Sequence, residues 1–267
     1  LDVVATNEDH VIKVKEMFSN YQQVFGFEHI EPSFTLKITN SIQDDIYFYS
    51  SKEDKILMDK YGLTSSPNGT VILPSDTNLH FVVLIDEIQF FEDEADPYIH
   101  TVFHEFTHLY DYYFYCMDFG NVHLLSNEIK NIKYFWDIYY WSEFHAKRIG
   151  SYLYIKYLEE KFKVAGIKLD FQTENLVDNI NRSKTMFFQF QEAFTELMSY
   201  LGRLSVFHEN STICPDPKFP KDFLIQTFGE EIFDLYALLL DMNDYQTAKN
   251  RLIDFKDIKD RILRNKF

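Results

Sequence analysis

The chain has 267 residues, 46% of them hydrophobic and 18% aromatic, enough to bury one substantial core or two small ones, and nothing in it resembles disorder or a collagen-like repeat. A formal charge of −16 works against sequence-independent binding to nucleic acid or anionic lipid, which depends on Lys and Arg displacing counterions, so neither partner is expected. Two cysteines, Cys116 and Cys214, are too few for a disulfide framework, and no apolar run is long enough to span a bilayer; the expectation is a soluble protein, cytoplasmic rather than secreted.

From about Asn7 to Phe25, apolar residues recur at three- and four-residue steps (Val11, Val14, Phe18, Tyr21, Phe25), with Glu8 and Asp9 in the first turn. This is the pattern of an amphipathic helix. The period then changes: Phe34, Leu36 and Ile38 alternate with polar residues, and short strands are expected there, at Ile46 to Tyr49, and at Thr70 to Leu73 after the Pro67-Asn68-Gly69 turn. The run His80 to Ile85 is the clearest strand of all. Next comes a helix opened by Asp96 as cap and Pro97 at its first position, running past Tyr110 without an internal Gly or Pro. Helical patterns follow at about Ile132 to Phe162, Lys184 to Phe207 and Glu230 to Leu240, with a proline-rich connection around Asn210 to Pro220. The expected fold is α+β: a small N-terminal mixed or antiparallel sheet with an active-site helix, then a mainly helical C-terminal half. We expect one domain over residues 1–267, made of a helix-plus-sheet portion (1–95), metal-binding helices (96–162) and a helical extension (163–267).

His104-Glu105-Phe106-Thr107-His108 forms H-E-x-x-H on that helix. Positions four apart share a helix face, so the two imidazoles can converge on one ion while the intervening Glu stands beside it. Zinc requires such convergence, and Glu105 can accept the proton of a water whose pKa the ion lowers to about 7. Catalytic zinc usually takes three protein ligands. The extended variant with a third His six residues on is excluded, because Asp111 and Phe114 stand where Gly and His belong. His100 lies on the same helix and cannot surround an ion together with its neighbours; it reads as a surface or supporting histidine. On a later helix Glu143 shares a face with the small residues Ala146 and Gly150, which allow a neighbouring helix to come close, so Glu143 is the candidate third ligand; the alternative is a solvated carboxylate. His145 competes for the role but points elsewhere around the helix.

H-E-F-T-H at 104–108, a preceding strand, and Glu143-x-x-Ala146 on a later helix resemble the gluzincin branch of the zincin metallopeptidases, most nearly the compact peptidases of the ImmA/IrrE type. The resemblance covers roughly residues 70–155. It implies a zinc peptidase acting on a protein or peptide substrate, with His80 to Ile85 as the edge strand on which that substrate lies antiparallel. It also implies a Tyr or His that stabilises the oxyanion, a role open among Tyr110, Tyr112, Tyr113, Tyr139, Tyr140 and His145. Asp111 reads either as a partner that orients a ligand imidazole or as an exposed Asp. The acidic cluster Asp86, Glu87, Glu92, Asp93, Glu94 and Asp96 reads as a solvated loop more than as a determinant for basic substrates. The competing function is a metal-stabilised regulatory or interaction protein without peptidase activity.

Overall fold

A computed structural model describes residues 2–61, 67–74, 79–91, 96–120, 134–163, 178, 180–181, 189–209 and 220–266. The chain divides into two compact units, Leu1–Lys133 and Tyr134–Phe267. The fold is α+β, with a small mixed sheet near the N-terminus and a largely helical C-terminal region. No helix among the described residues is long and apolar enough to cross a membrane.

In the first unit the sheet order is β1-β2-β4-β3, where β1 is Asp2–Val4, β2 Phe34–Thr39, β3 Gly69–Ile72 and β4 Phe81–Asp86. The pairs β1–β2 and β2–β4 are parallel, and β3 runs antiparallel to β4. Alternation and register assign the faces. Phe34, Leu36 and Ile38 stand beside Phe81, Val83 and Ile85 on one face. Helices α1 (Glu8–Phe25) and α4 (Tyr98–Phe119) cover it, with Phe18 edge-on to Phe34 and to Phe106 at 5.1 Å each. The other face carries Val82 and Leu84, under Ile42, Ile46 and Tyr49 of α2 (Ile42–Tyr49), and Lys37, which bonds Asp45 of α2 at 2.6 Å. A short second helix, α3 (Lys52–Tyr61), follows directly; Ser51 opens it by accepting from the Asp54 amide at 3.1 Å and donating to the Asp54 carboxylate at 2.7 Å.

Three expectations need correction. Ile46 to Tyr49 is not a strand: Ile42, Ile46 and Tyr49 are spaced four and three apart, and a helix turns all three onto the sheet. Helix α4 is assigned from Tyr98, with Pro97 already at helical angles (φ −60, ψ −24) and Asp96 before it in a left-handed conformation (φ 47) in place of the extended one usual for a capping residue. The third concerns substrate: β4 is not an edge. It is paired on both sides, and five of its six residues are buried, since both of its faces are covered. Among the described residues the antiparallel edge next to it is β3. A proline at Val83 would therefore break the sheet interior and says nothing about substrate.

In the second unit, α5 (Phe135–Phe162) lies against α6 (Gln189–Glu209), with α7 (Lys221–Phe228), α8 (Glu231–Asp241) and α9 (Tyr245–Lys266) completing the packing. Trp141 is fully buried and donates its indole N–H to the Met242 carbonyl at 2.9 Å. Ala248, Leu252, Phe255 and Ile262 form the buried stripe of α9, and beside it Lys259 meets Asp137 of α5 at 2.6 Å, both side chains no more than 10% exposed. Of the expected proline-rich connection from Asn210 to Pro220, residues 210–219 lie outside those described, and Pro220 directly precedes α7.

Candidate metal centre

Helix α4 runs 22 residues without Gly or Pro and ends at Gly120, whose φ of 90 suits a residue without Cβ. Its inner face is aromatic. Tyr21 of α1 donates to Thr107 Oγ1 at 3.1 Å, and Thr107 donates to the Phe103 carbonyl at 2.9 Å, so the residue before His108 is fixed in place.

On another face, His100, His104, His108 and Tyr112 form a column at four-residue steps. His104 stacks on His100 with ring centres 6.0 Å apart, and Tyr112 lies nearly parallel to His108 at 5.5 Å. His104 and His108 converge differently: their ring planes are at 88° and their Nε2 atoms stand 3.1 Å apart. With zinc–nitrogen bonds of about 2.0–2.1 Å, tetrahedral ligand nitrogens stand about 3.3 Å apart. The observed separation fits two ligands of one ion. The donor atoms of His104, His108 and Glu143 all lie within 4.8 Å of one another, and no other such group of His, Cys, Asp or Glu occurs among the described residues. Two imidazoles and a carboxylate form a donor set that zinc accepts, and the three residues are placed to hold a metal ion.

Glu105 is 4% exposed. Strand β3 passes directly over it: a Cβ built on Gly69 would fall 2.8 Å from Glu105 Cγ, 2.9 Å from Oε1 and 2.9 Å from Thr101 Cγ2. The carboxylate occupies the space a side chain at residue 69 would take. Glu143, half-buried on α5, accepts a hydrogen bond on Oε1 from the hydroxyl of Ser199 on α6.

The remaining candidates separate by their neighbours. Asp111 is buried, not exposed. Burial pushes the Tyr21 phenol well above its usual range, the bond to Thr107 opposes this, and the nearby Asp111 charge adds to the rise. Tyr110 packs toward α1, stacked on Phe27 at 4.5 Å; its hydroxyl donates to the Ile30 carbonyl and accepts from Gln22 Nε2, both at 3.1 Å, and burial pushes its pKa up to about 12. His145 stacks on Trp141 at 4.8 Å and is absent from the metal-capable group. Tyr140 lies under Lys259 and edge-on to Phe194 in the core of the second unit. Of the acidic cluster, Asp86 caps the short 3-10 turn Glu87–Phe90 by accepting from the Ile88 amide, and Glu87 accepts from Thr6. Residues 92–95 lie outside the described chain.

Ser199 and Gly69 escaped the sequence reading. Nothing local marks Ser199, whose partner is 56 positions away. Gly69 was taken only as a turn residue, although a glycine at the start of a strand also signals close approach of another group. Among known proteins the chain matches no family model, no curated protein and no solved structure, so the site is read from its own geometry.

Proposed function

We propose that the protein is a zinc-dependent peptidase of the gluzincin type, related to the compact ImmA/IrrE peptidases, that cleaves a protein or peptide substrate. The observation that carries the reading is the convergence of His104 and His108 Nε2 at 3.1 Å, with Glu143 in the same donor group and Glu105 between them in sequence. In this reading His104, His108 and Glu143 hold the ion. When bound, zinc supplies a Lewis acid that polarises a carbonyl and brings the pKa of a water to about 7. Glu105 accepts the proton of the attacking water and returns it to the departing amine. Its burial under β3 keeps the carboxylate in one orientation and limits competition from bulk water. An extended substrate segment is received by the outer side of β3, which is unpaired among the described residues, in place of β4, with its main chain adding a strand to the sheet. Asp111 supports the imidazoles from within α4, and of the oxyanion candidates Tyr110 is the least suited, since its hydroxyl is already committed.

The test is hydrolysis of an unstructured protein such as casein, paired with elemental analysis. Wild type should carry one zinc per chain and cleave. Glu105→Gln keeps the shape but loses the proton acceptor, so it should retain the zinc and lose at least about 10²-fold in turnover. Near-normal turnover by the variant rules out the role of Glu105. The interior position of β4 favours a second reading, because it removes the strand first expected to receive substrate: a metal-stabilised interaction protein. Stoichiometric zinc without hydrolysis of any peptide in a diverse library would select that reading.

A further inference from the structure

Three hydroxyl side chains along α6 can be compared. Thr195 donates to the Gln191 carbonyl at 2.9 Å and Ser205 to the Gly202 carbonyl at 2.7 Å, the usual recourse of a hydroxyl inside a helix, which turns back on its own backbone. Ser199 does not. Its hydroxyl crosses to the neighbouring helix and donates to Glu143 Oε1. One turn further on, a Cβ at Gly202 would fall 2.3 Å from the Phe144 carbonyl oxygen and 3.0 Å from Lys147 Cβ, so the two helices touch backbone to backbone beside Glu143. Ser199 and Gly202 are three apart and share a face of α6. The close crossing thus fixes the distance from which the serine hydroxyl reaches the carboxylate. Leu197, Met198 and Leu201, all fully buried, anchor the same stretch.

We infer that Ser199 is a positioning residue for the metal centre: it holds the Glu143 carboxylate in the orientation from which it ligates, so that the C-terminal helical extension is a working part of the site. The inference rests on the proposal that His104, His108 and Glu143 hold zinc. A glutamate reaches an ion through three rotatable bonds, and a ligand left to swing must be ordered by the ion itself. A carboxylate has about four lone-pair positions on its two oxygens, so one donated hydroxyl proton fixes its plane without consuming its capacity as a ligand. Partners of this kind are typically worth about 10–100-fold in metal affinity. A serine gives the bond no net charge, so the carboxylate keeps its full negative charge for the cation.

The experiment is zinc affinity, measured on the full chain by competition with a chromophoric chelator, for wild type, Ser199→Ala, Glu143→Ala and the double variant. Metal-free circular dichroism and Tm serve as the fold control. Ser199→Ala is expected to bind zinc about 10–100-fold more weakly than wild type with its metal-free fold unchanged. In the Glu143→Ala background the same change should have no further effect, because the hydroxyl acts only through that carboxylate. The visible spectrum of the cobalt-substituted protein should shift in Ser199→Ala. Affinity within about twofold of wild type, or an equal loss in both backgrounds, overturns the inference while leaving the zinc site standing. Failure of wild type to bind zinc at all overturns the underlying reading as well, and is told apart by that one measurement.

Discussion

Gly69 is a position where stability and activity should come apart. Its φ lies outside the left-handed region, so alanine meets no backbone strain there, and the obstacles are the side chains of Glu105 and Thr101. Both must shift to admit the methyl group, and Glu105 is met at Cγ as well as at Oε1. The proposed proton acceptor is then misplaced, and a displacement of about 1 Å can cost about 10²-fold in rate. Gly69→Ala is expected to keep its zinc and its Tm within a few degrees while kcat falls at least about tenfold; unchanged kcat would mean that Glu105 needs no fixed position. Tyr110 should behave in the opposite way. Tyr110→Phe removes one partner each from the Ile30 carbonyl and Gln22, which still bond each other, and should cost about 0.5–1.5 kcal/mol in denaturant unfolding, with turnover per bound zinc unchanged. A loss of turnover at intact stability would return Tyr110 to the oxyanion role. At this scale the convergence of His104 and His108 was legible because a helix alone makes positions four apart meet. Glu143 was legible only through its small neighbours, whereas the close crossing of α5 with α6 at Gly202 had no signal beside Glu143.

Among the elements, legibility followed how locally each is determined. Helix α1 needs only its own spacing, its Asn7 cap, which accepts from the Asp9 amide at 2.9 Å, and Gly26 at φ 68. Strand β4 was found, but its place in the sheet was not. The signal was present: Phe81-Val82-Val83-Leu84-Ile85 is unbroken and apolar, the pattern of a strand covered on both faces, whereas a half-covered edge would alternate. Helix α2 was missed because Ile46 to Tyr49, taken without Ile42, is too short to show a period, and α3 and β1 carry no strong pattern of their own. Helix α9 has a buried charge at its core-facing side. Lys259→Met would leave Asp137 uncompensated in a site only 6% exposed, and should cost about 3–5 kcal/mol in denaturant unfolding. Replacing both partners by apolar residues of similar volume should restore most of that. A single variant as stable as wild type would show that the pair contributes nothing.

For the molecule as a whole, composition and period were sufficient for the α+β class but not for the division into two compact units. That division depends on which helices pack together, and period alone does not say which. A resident metal should be visible in global stability, since an ion bound only by the folded state adds about 2.7 kcal/mol when free zinc is a hundredfold above its dissociation constant. Chelator should accordingly lower Tm for wild type and leave Glu143→Ala nearly unmoved. Equal shifts for both would place the ion elsewhere.

The burial of Trp141 also has an optical consequence. The chain has only two tryptophans, Trp136 and Trp141, and both fall in the second unit. One is sealed against the Met242 carbonyl, and the other is 46% exposed. Indole emission from the native protein is therefore the sum of a short-wavelength and a long-wavelength component. Iodide should quench the second and spare the first. Every unfolding curve recorded by that emission describes residues 134–267, while the sheet and the helix that carries His104 and His108 contain no indole and have to be followed through their tyrosines.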